Sequence, residues 1–297
     1  MRSNRAAERA EQPVTHNETE NRRRDAGRRP GRLSIVSLGP GDRSFLVPQA
    51  LEALHAAEVI VGYKTYLELI SDLLEGKKIF ASGMRKELER CQAAIDYALE
   101  GHRVAIVSSG DAGIYGMAGL IFDLCHERNL RISSPGTEAG GAADFSVEVI
   151  PGVAALNAAA SLVGAPLMHD FAAISLSDHL TPWEIITKRI TAVASADFVL
   201  AIYNPRSKTR PQLLEKAQKM LLEYRAPETP VAMVRSAMRA GEWARLTTLI
   251  NIPLEEVDMQ SILLVGNSQT YIWCGWMITP RGYLRKYSVS RADERKV

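Results

Sequence analysis

The sequence contains few cysteines and no long hydrophobic segment, and both shortages narrow the classes of protein to consider. Its three cysteines, Cys91, Cys125 and Cys274, are widely separated among 297 residues and form no C-x-x-C pair. Such a sparse set argues against a disulfide scaffold or a zinc site and favours a reducing environment. No apolar run approaches the roughly 18 residues typical of a membrane span. We therefore expect a cytoplasmic protein with no metal site and no membrane partner.

The positive charge is also unevenly distributed. The net charge is +2, but residues 1–31 contain eight arginines and only five acidic residues, so the remainder of the chain is slightly acidic. This first segment has almost no large apolar residues, and we expect it to be a disordered tail. A second short tail is expected over 286–297. Because runs of charge are usually solvated surface, we expect no nucleic-acid partner.

Between the tails, apolar runs of strand length alternate with stretches of helical spacing. In 32–150, we predict strands at 33–38, 58–61, 104–107 and 147–150, and helices near 47–57, 85–100 and 115–127. This alternation is typical of parallel strands joined by crossover helices, so 32–150 is predicted to be an α/β domain with a mostly parallel sheet. Cys91 lies on the apolar face of a predicted helix, so we expect it in the core. A core position also suits Cys125 and Cys274.

A second α/β domain is predicted over 151–285. It has predicted strands at 171–176, 197–203, 230–235, 245–248 and 261–265, and helices at 182–194 and 210–223. The short strand that follows Gly241-Glu242-Trp243 suggests an antiparallel member, so this sheet is predicted to be mixed.

Three glycine-containing loops each follow a predicted strand: Gly39-Pro40-Gly41-Asp42, the segment from Ser109 to Gly116, and Pro151-Gly152-Val153-Ala154-Ala155. The carboxyl edge of an α/β sheet is where small molecules bind, and glycine lets the main chain approach a ligand closely. The first loop matches neither G-x-G-x-x-G nor G-x-x-x-x-G-K-[ST], and its proline has no N–H to donate. The loops therefore favour a ligand other than a dinucleotide or a nucleoside triphosphate.

In this order, the loops resemble the G-P-G-D, G-D-x-x-x-[YF]-G and P-G-[VI] signatures of the tetrapyrrole methylases, which methylate precorrins with S-adenosylmethionine. The resemblance runs from about Arg32 to Tyr283. It implies two α/β domains with the cofactor tightly folded in the cleft between them. It also implies a small-molecule tetrapyrrole substrate and a homodimer.

Within this family, the second half most resembles the branch that methylates C-17 of precorrin-3B, or of its cobalt-bearing equivalent, and contracts the macrocycle. The segments that carry this resemblance are Gly164–Phe171, Ile174–Asp178, Thr181–Glu184, Tyr203–Ser207 and Thr279–Tyr283. They imply an S-adenosylmethionine-dependent C-methyltransferase of cobalamin biosynthesis. The alternatives are a sister methylase acting at C-11 or C-20, a dinucleotide-dependent oxidoreductase, and a non-catalytic module that senses S-adenosylmethionine.

By position within the motifs, the resemblance implies a cofactor site made of small and neutral residues. These are Pro40, Ser109, Gly110, Asp111, Ile114, Ala154, Ala155, Tyr203 and Ala237. Small residues and backbone amides suit a neutral adenosine, and the carboxylate of Asp111 adds an acceptor. The same carboxylate equally fits a cap for the helix predicted near Ile114.

Precorrins carry acetate and propionate carboxylates, so their site needs Arg or Lys donors. We expect these donors at Arg206, Arg85 and Arg235, and prefer Arg206 because it follows Tyr203-Asn204-Pro205 at a strand end. Ring contraction, as the resemblance implies it, starts when the hydroxyl at C-20 loses its proton, which invites a general base.

We predict that this base is His169 or Asp170, with Asp178 behind them. The competing interpretation of His169-Asp170 is a helix-to-strand turn that contains a hydrogen-bonded histidine.

Overall fold

The computed structural model describes residues 30–136, 143–207 and 209–287. The tails predicted over 1–31 and 286–297 lie almost entirely outside these described residues. Within the described ranges, no helix combines the length and the hydrophobicity needed to cross a lipid bilayer. Two principal β-sheets, each covered by helices on both faces, make up most of the structure.

The first sheet has six parallel strands in the order β3-β2-β4-β1-β6-β5. They are β1 (Gly31–Ser37), β2 (Val59–Tyr63), β3 (Lys78–Ser82), β4 (Arg103–Ser108), β5 (Ile132–Ser133) and β6 (Phe145–Ile150). Successive residues of the central strands enter opposite cores, as the two-residue period of a strand requires. Ile35 and Ile106 belong to one core, and Val36 and Val107 to the other.

Helices cover both faces of this sheet. On the face of Val36, they are α1 (Pro48–Ala56) and α2 (Lys64–Glu68), and on the face of Ile35 they are α3 (Glu87–Leu99) and α4 (Ala118–Glu127). A parallel sheet needs such cover because its central strands are apolar on both sides. This arrangement confirms the prediction of a parallel first sheet.

The second sheet has five strands in the order β11-β10-β12-β9-β8. They are β8 (Phe171–Ser175), β9 (Val199–Tyr203), β10 (Pro230–Arg235), β11 (Trp243–Thr248) and β12 (Ser261–Val265). β8 and β9 are parallel, whereas the other neighbours are antiparallel. Helices α6 (Trp183–Ser195) and α7 (Leu213–Leu222) pack on one face and α5 (Ala155–Val163) on the other. The predictions of a mixed second sheet and of an α/β fold are thus confirmed.

A small third sheet was not predicted. It pairs β7 (Gly164–Ala165) with a hairpin of β13 (Tyr271–Trp273) and β14 (Trp276–Ile278), and the short helix α8 (Tyr283–Lys286) follows. The hairpin escaped prediction because each of its strands has only three residues, too few to show the alternation of a strand.

The cysteines differ in their environments. Cys91 in α3 and Cys125 in α4 are buried in the first core, but Cys274 is exposed at the turn of the hairpin, which corrects the core role considered for it. Burial raises the pKa of the Cys91 thiol to about 12 and also raises that of Cys125. Both buried thiols are therefore protonated at physiological pH.

We expect 5,5′-dithiobis(2-nitrobenzoic acid) to react rapidly with only one thiol per native chain at mildly alkaline pH, because only Cys274 is exposed and the thiolate is the reacting species. The absorbance of the released thionitrobenzoate counts the reacting thiols. The Cys274→Ser variant should lose the rapid phase, and urea should expose the buried pair in both proteins. Rapid labelling of native Cys274→Ser protein would contradict this packing.

Candidate functional site

The loops that follow β1 and β4 remain paired beyond the edge of the first sheet. Gly39 donates its N–H to the carbonyl oxygen of Gly110 (3.0 Å), and Gly110 donates to that of Gly39 (2.7 Å). Both glycines have φ of +68°, in the left-handed region that side chains disfavour. The two bends therefore turn over the carboxyl edge of the sheet side by side.

The third glycine loop is tied to the second by Asp111. The Oδ1 atom of Asp111 accepts a hydrogen bond from Gly113 N (2.8 Å), and its Oδ2 atom accepts one from Gly152 N (2.9 Å). A methyl group added at Gly152 would lie 2.6 Å from Ser37 Cβ and 2.7 Å from Gly110 O. The structure therefore brings the three predicted loops into close contact, and Asp111 both caps its own turn and joins two loops.

The second sheet adds its own residues to this edge. Tyr203, the last residue of β9, accepts a hydrogen bond at its hydroxyl from Leu156 N in the first turn of α5 (3.1 Å). Ala154 precedes that helix, and Ala155 and Ala237 pack with Tyr203 against the core under α5. Burial raises the pKa of the Tyr203 phenol, so the hydroxyl is neutral at physiological pH.

Tyr115 occupies the aromatic position of the G-D-x-x-x-[YF]-G motif but was not predicted as a site residue. Its φ is +54°, its hydroxyl donates to Ala173 O (3.0 Å), and its ring centroid lies 5.0 Å from that of Tyr203. Its neighbour Ile114 is 37% exposed in the same loop. The aromatic position of the G-D-x-x-x-[YF]-G motif was the signal that indicated this tyrosine.

A further contact comes from Arg239, which follows β10. Its guanidinium donates to the carbonyl oxygen of Pro40 and to the hydroxyl of Ser109. With this contact, the predicted cofactor residues form one group at the carboxyl edge of the first sheet. The group is Pro40, Ser109, Gly110, Asp111, Ile114, Ala154, Ala155, Tyr203 and Ala237.

The predicted substrate arginines differ in their availability. The preferred residue, Arg206, donates to Leu254 O (3.0 Å) and forms an ion pair with Glu255 (2.8 Å). Arg235 forms an ion pair with Asp258 (2.9 Å). Arg85 is exposed in the loop between β3 and α3 and has no ion pair with another described residue.

The structure does not bring the three predicted base residues together. His169 and Asp170 lie before the amino end of β8, where Asp170 O accepts from Val199 N (3.1 Å). Asp178 lies beyond the carboxyl end of the same strand, and a strand of five residues spans roughly 16 Å. His169 Nδ1 accepts from Asp170 N (2.8 Å), which is the local contact of a histidine in a turn. Asp178 forms an ion pair with Arg210.

Comparison with known proteins identifies a matching family and several relatives of this chain. A family model described as tetrapyrrole (corrin/porphyrin) methylases matches residues 32–253. The chain is 46% identical over 264 residues to the cobalt-factor III methyltransferase of Priestia megaterium, and the match covers 89% of this chain. It spans about half of that relative's length (47%).

Two further matches cover their counterparts almost completely. The probable cobalt-factor III C(17)-methyltransferase of Salmonella typhimurium strain LT2 is 50% identical over 251 residues, which are 84% of this chain and 99% of that protein. The solved structure of the methyltransferase CobJ has a TM-score of 0.76 at 36% identity, and the match covers 84% of this chain and 100% of that chain.

We expect Asp111→Asn to destabilise the protein, because an amide offers one acceptor oxygen to two backbone N–H donors and turns its own NH₂ towards one of them. Leaving a hydrogen-bonding group unpaired in this way costs about 1–3 kcal/mol. Urea denaturation followed by circular dichroism measures the change. Asp123→Asn is the matched control, because Asp123 is exposed in α4 and has no hydrogen bond to another described residue. Equal stability of the two variants would contradict the joining role of Asp111.

Proposed function

Because the chain belongs to the family of tetrapyrrole (corrin/porphyrin) methylases, we propose that it is an S-adenosylmethionine-dependent C-methyltransferase of cobalamin biosynthesis. The proposed reaction transfers one methyl group to C-17 of the macrocycle and contracts the ring. The names of two relatives favour cobalt-factor III as the substrate over metal-free precorrin-3B. The observation that carries the proposal is the meeting of three glycine loops at one sheet edge, with Tyr203 beside them.

The residues at this edge suit the cofactor. When bound, S-adenosylmethionine supplies a methyl group activated by a positively charged sulfonium. The carboxylate of Asp111 accepts only from backbone N–H groups and forms no ion pair with a cation of the described residues, so its negative charge favours a cationic ligand. Ala154, Ala155 and Ala237 are small, and at Gly110 even a methyl group would meet no atom closer than Ala155 N at 3.7 Å.

The chain's task in methyl transfer is orientation and exclusion of water. The reacting atoms must be held about 3–3.5 Å apart and in line. The cluster is well placed for this, because Ala112 is completely buried and Ala154 is 4% exposed. The neighbouring rings of Tyr115 and Tyr203 form one wall. No nucleophile of the protein is required, since the methyl donor is already activated.

For the substrate carboxylates, Arg85 is the most available of the predicted arginines. Arg85 is exposed and has no ion pair with another described residue to give up, whereas a carboxylate that approached Arg206 or Arg235 would have to displace Glu255 or Asp258. The loop that carries Arg85 follows β3 and therefore leaves the same carboxyl edge as the glycine loops.

For the general base, we favour Asp178 among the three predicted residues. C-17 and C-20 are close neighbours on the macrocycle, so the base must act near the methyl acceptor. Leu176 N donates to Tyr203 O (2.9 Å), so Asp178 emerges at the end of β8 that lies beside Tyr203. His169 and Asp170 lie at the far end of that strand.

We also propose a cytoplasmic location, which was expected from the sparse cysteines, and a homodimer, which was expected from the family resemblance. The exposed hairpin of β13 and β14, with Trp273 and Trp276, offers an apolar surface of the kind that oligomers bury.

The central experiment incubates the purified enzyme with methyl-labelled S-adenosylmethionine and either cobalt-factor III or precorrin-3B. We expect a product with one additional methyl group, labelled at C-17 and ring-contracted, and faster turnover of the cobalt-containing substrate. Mass spectrometry counts the methyl groups, and nuclear magnetic resonance of the demetallated product locates the label. Label at C-11 or C-20 would instead identify a sister methylase, and binding without turnover would identify a sensing module.

The assignment of the base predicts that the two chemical steps can be separated. With precorrin-3B, which carries the C-20 hydroxyl, Asp178→Asn should methylate the substrate but slow the contraction by about 10²–10⁴-fold, the usual contribution of a general base. His169→Asn and Asp170→Asn should leave both rates nearly unchanged. Single-turnover assays that score methylation and contraction separately provide the measurement. If contraction depends on His169 or Asp170 and not on Asp178, the assignment to Asp178 is wrong.

A further inference from the structure

Arg239 crosses from the second sheet to the glycine loops of the first. It lies in a turn after β10, where Arg239 N donates to Ser236 O (3.0 Å). Its side chain passes directly over Gly41, where an added methyl group would lie 2.5 Å from Nε and 2.6 Å from Cγ. The guanidinium then reaches Pro40 O and Ser109 Oγ, which both belong to the group of predicted cofactor residues.

The charge of this guanidinium is not balanced by the protein around it. Both acceptors are neutral, and Arg239 forms no ion pair with any Asp or Glu that the structure describes. Arg235, the last residue of β10, does have such a partner in Asp258. Burial lowers the pKa of Arg239, as expected for a cation that has lost water without gaining an anion. An arginine remains charged even so.

The acidic groups nearby hydrogen-bond to neutral groups and form no ion pair with Arg239 among the described residues. An open depression of about 480 Å³ adjoins Arg239, and Asp42 and Glu242 line it. Asp42 Oδ1 accepts from Ser44 N (2.8 Å), and Glu242 accepts from Met238 N. An ionised Tyr66 phenol would raise the pKa of Arg239. Burial raises the pKa of Tyr66 itself, however, so its phenol stays neutral at physiological pH.

We propose that Arg239 is a carboxylate-binding residue of the active site, and that it takes the amino-acid carboxylate of S-adenosylmethionine. This inference rests on the proposed function. A bound carboxylate would replace Pro40 O and Ser109 Oγ as the acceptor of the guanidinium. Its bidentate hydrogen bonds would be charge-assisted, and such bonds are roughly twice as strong as neutral ones. The cofactor is the favoured source because both present partners, Pro40 and Ser109, belong to the cofactor group. The other source of the same chemistry is a peripheral carboxylate of the macrocycle.

The test compares two ligands on the ligand-free enzyme by isothermal titration calorimetry: S-adenosylmethionine and its decarboxylated analogue. The wild type should prefer S-adenosylmethionine by about 10- to 100-fold, the range for hydrogen bonds to a charged group. Arg239→Met should bind both with nearly equal affinity, and Arg239→Lys should restore part of the preference. Arg245→Met is the matched control, because Arg245 is an exposed arginine on β11 and should keep the wild-type ratio. The ratio within one variant does not depend on its folded fraction.

A second arm identifies the source of the carboxylate. If Arg239→Met keeps the wild-type ligand ratio but raises KM for the macrocycle about tenfold at unchanged kcat, Arg239 binds the macrocycle's carboxylate and the cofactor assignment is overturned. If neither the ratio nor KM changes, Arg239 binds no carboxylate and the whole inference is overturned. If the wild type binds neither S-adenosylmethionine nor S-adenosylhomocysteine, the proposed function itself is contradicted.

Discussion

The reciprocal hydrogen bonds between Gly39 and Gly110 are the constraint from which the candidate site follows. They extend the pairing of β1 with β4 into the loops, and both residues need the left-handed conformation that glycine adopts most easily. Once the two bends run side by side, Pro40 and Ser109 face the same edge, and Asp111 comes within reach of the third loop. A side chain at either glycine would disturb all of these positions together, because the three loops share contacts.

Directional hydrogen bonds join the loops of the first sheet to the second sheet. Tyr115 donates to a carbonyl oxygen of β8, and Arg239, which follows β10, reaches the first glycine bend. Polar contacts of this kind are common at interfaces between domains of one chain. They bring residues of both sheets to the edge where the glycine loops meet.

The sequence alone indicated the parts of the site that depend on local structure. The loops could be located because each follows an apolar strand, and parallel strands end at one edge of a sheet. The strand β3 was missed because it is an edge strand whose apolar run, Ile79-Phe80-Ala81, is only three residues long. Partners that are distant along the chain were also beyond prediction. Arg206 was preferred for its place after a strand, yet its carboxylate partner is Glu255, and the second contact of Asp111 is Gly152.

The two opposite charges at the sheet edge are not paired with each other. Asp111 and Arg239 approach the same short segment, Ser109-Gly110, but neighbouring neutral groups hold each of them, and they form no ion pair with each other in the part of the chain described. Two opposite charges that are partly withdrawn from water and left unpaired forgo the Coulomb attraction of an ion pair. Such a cost is typical of functional sites. A ligand that carries a sulfonium and a carboxylate could recover it at both ends.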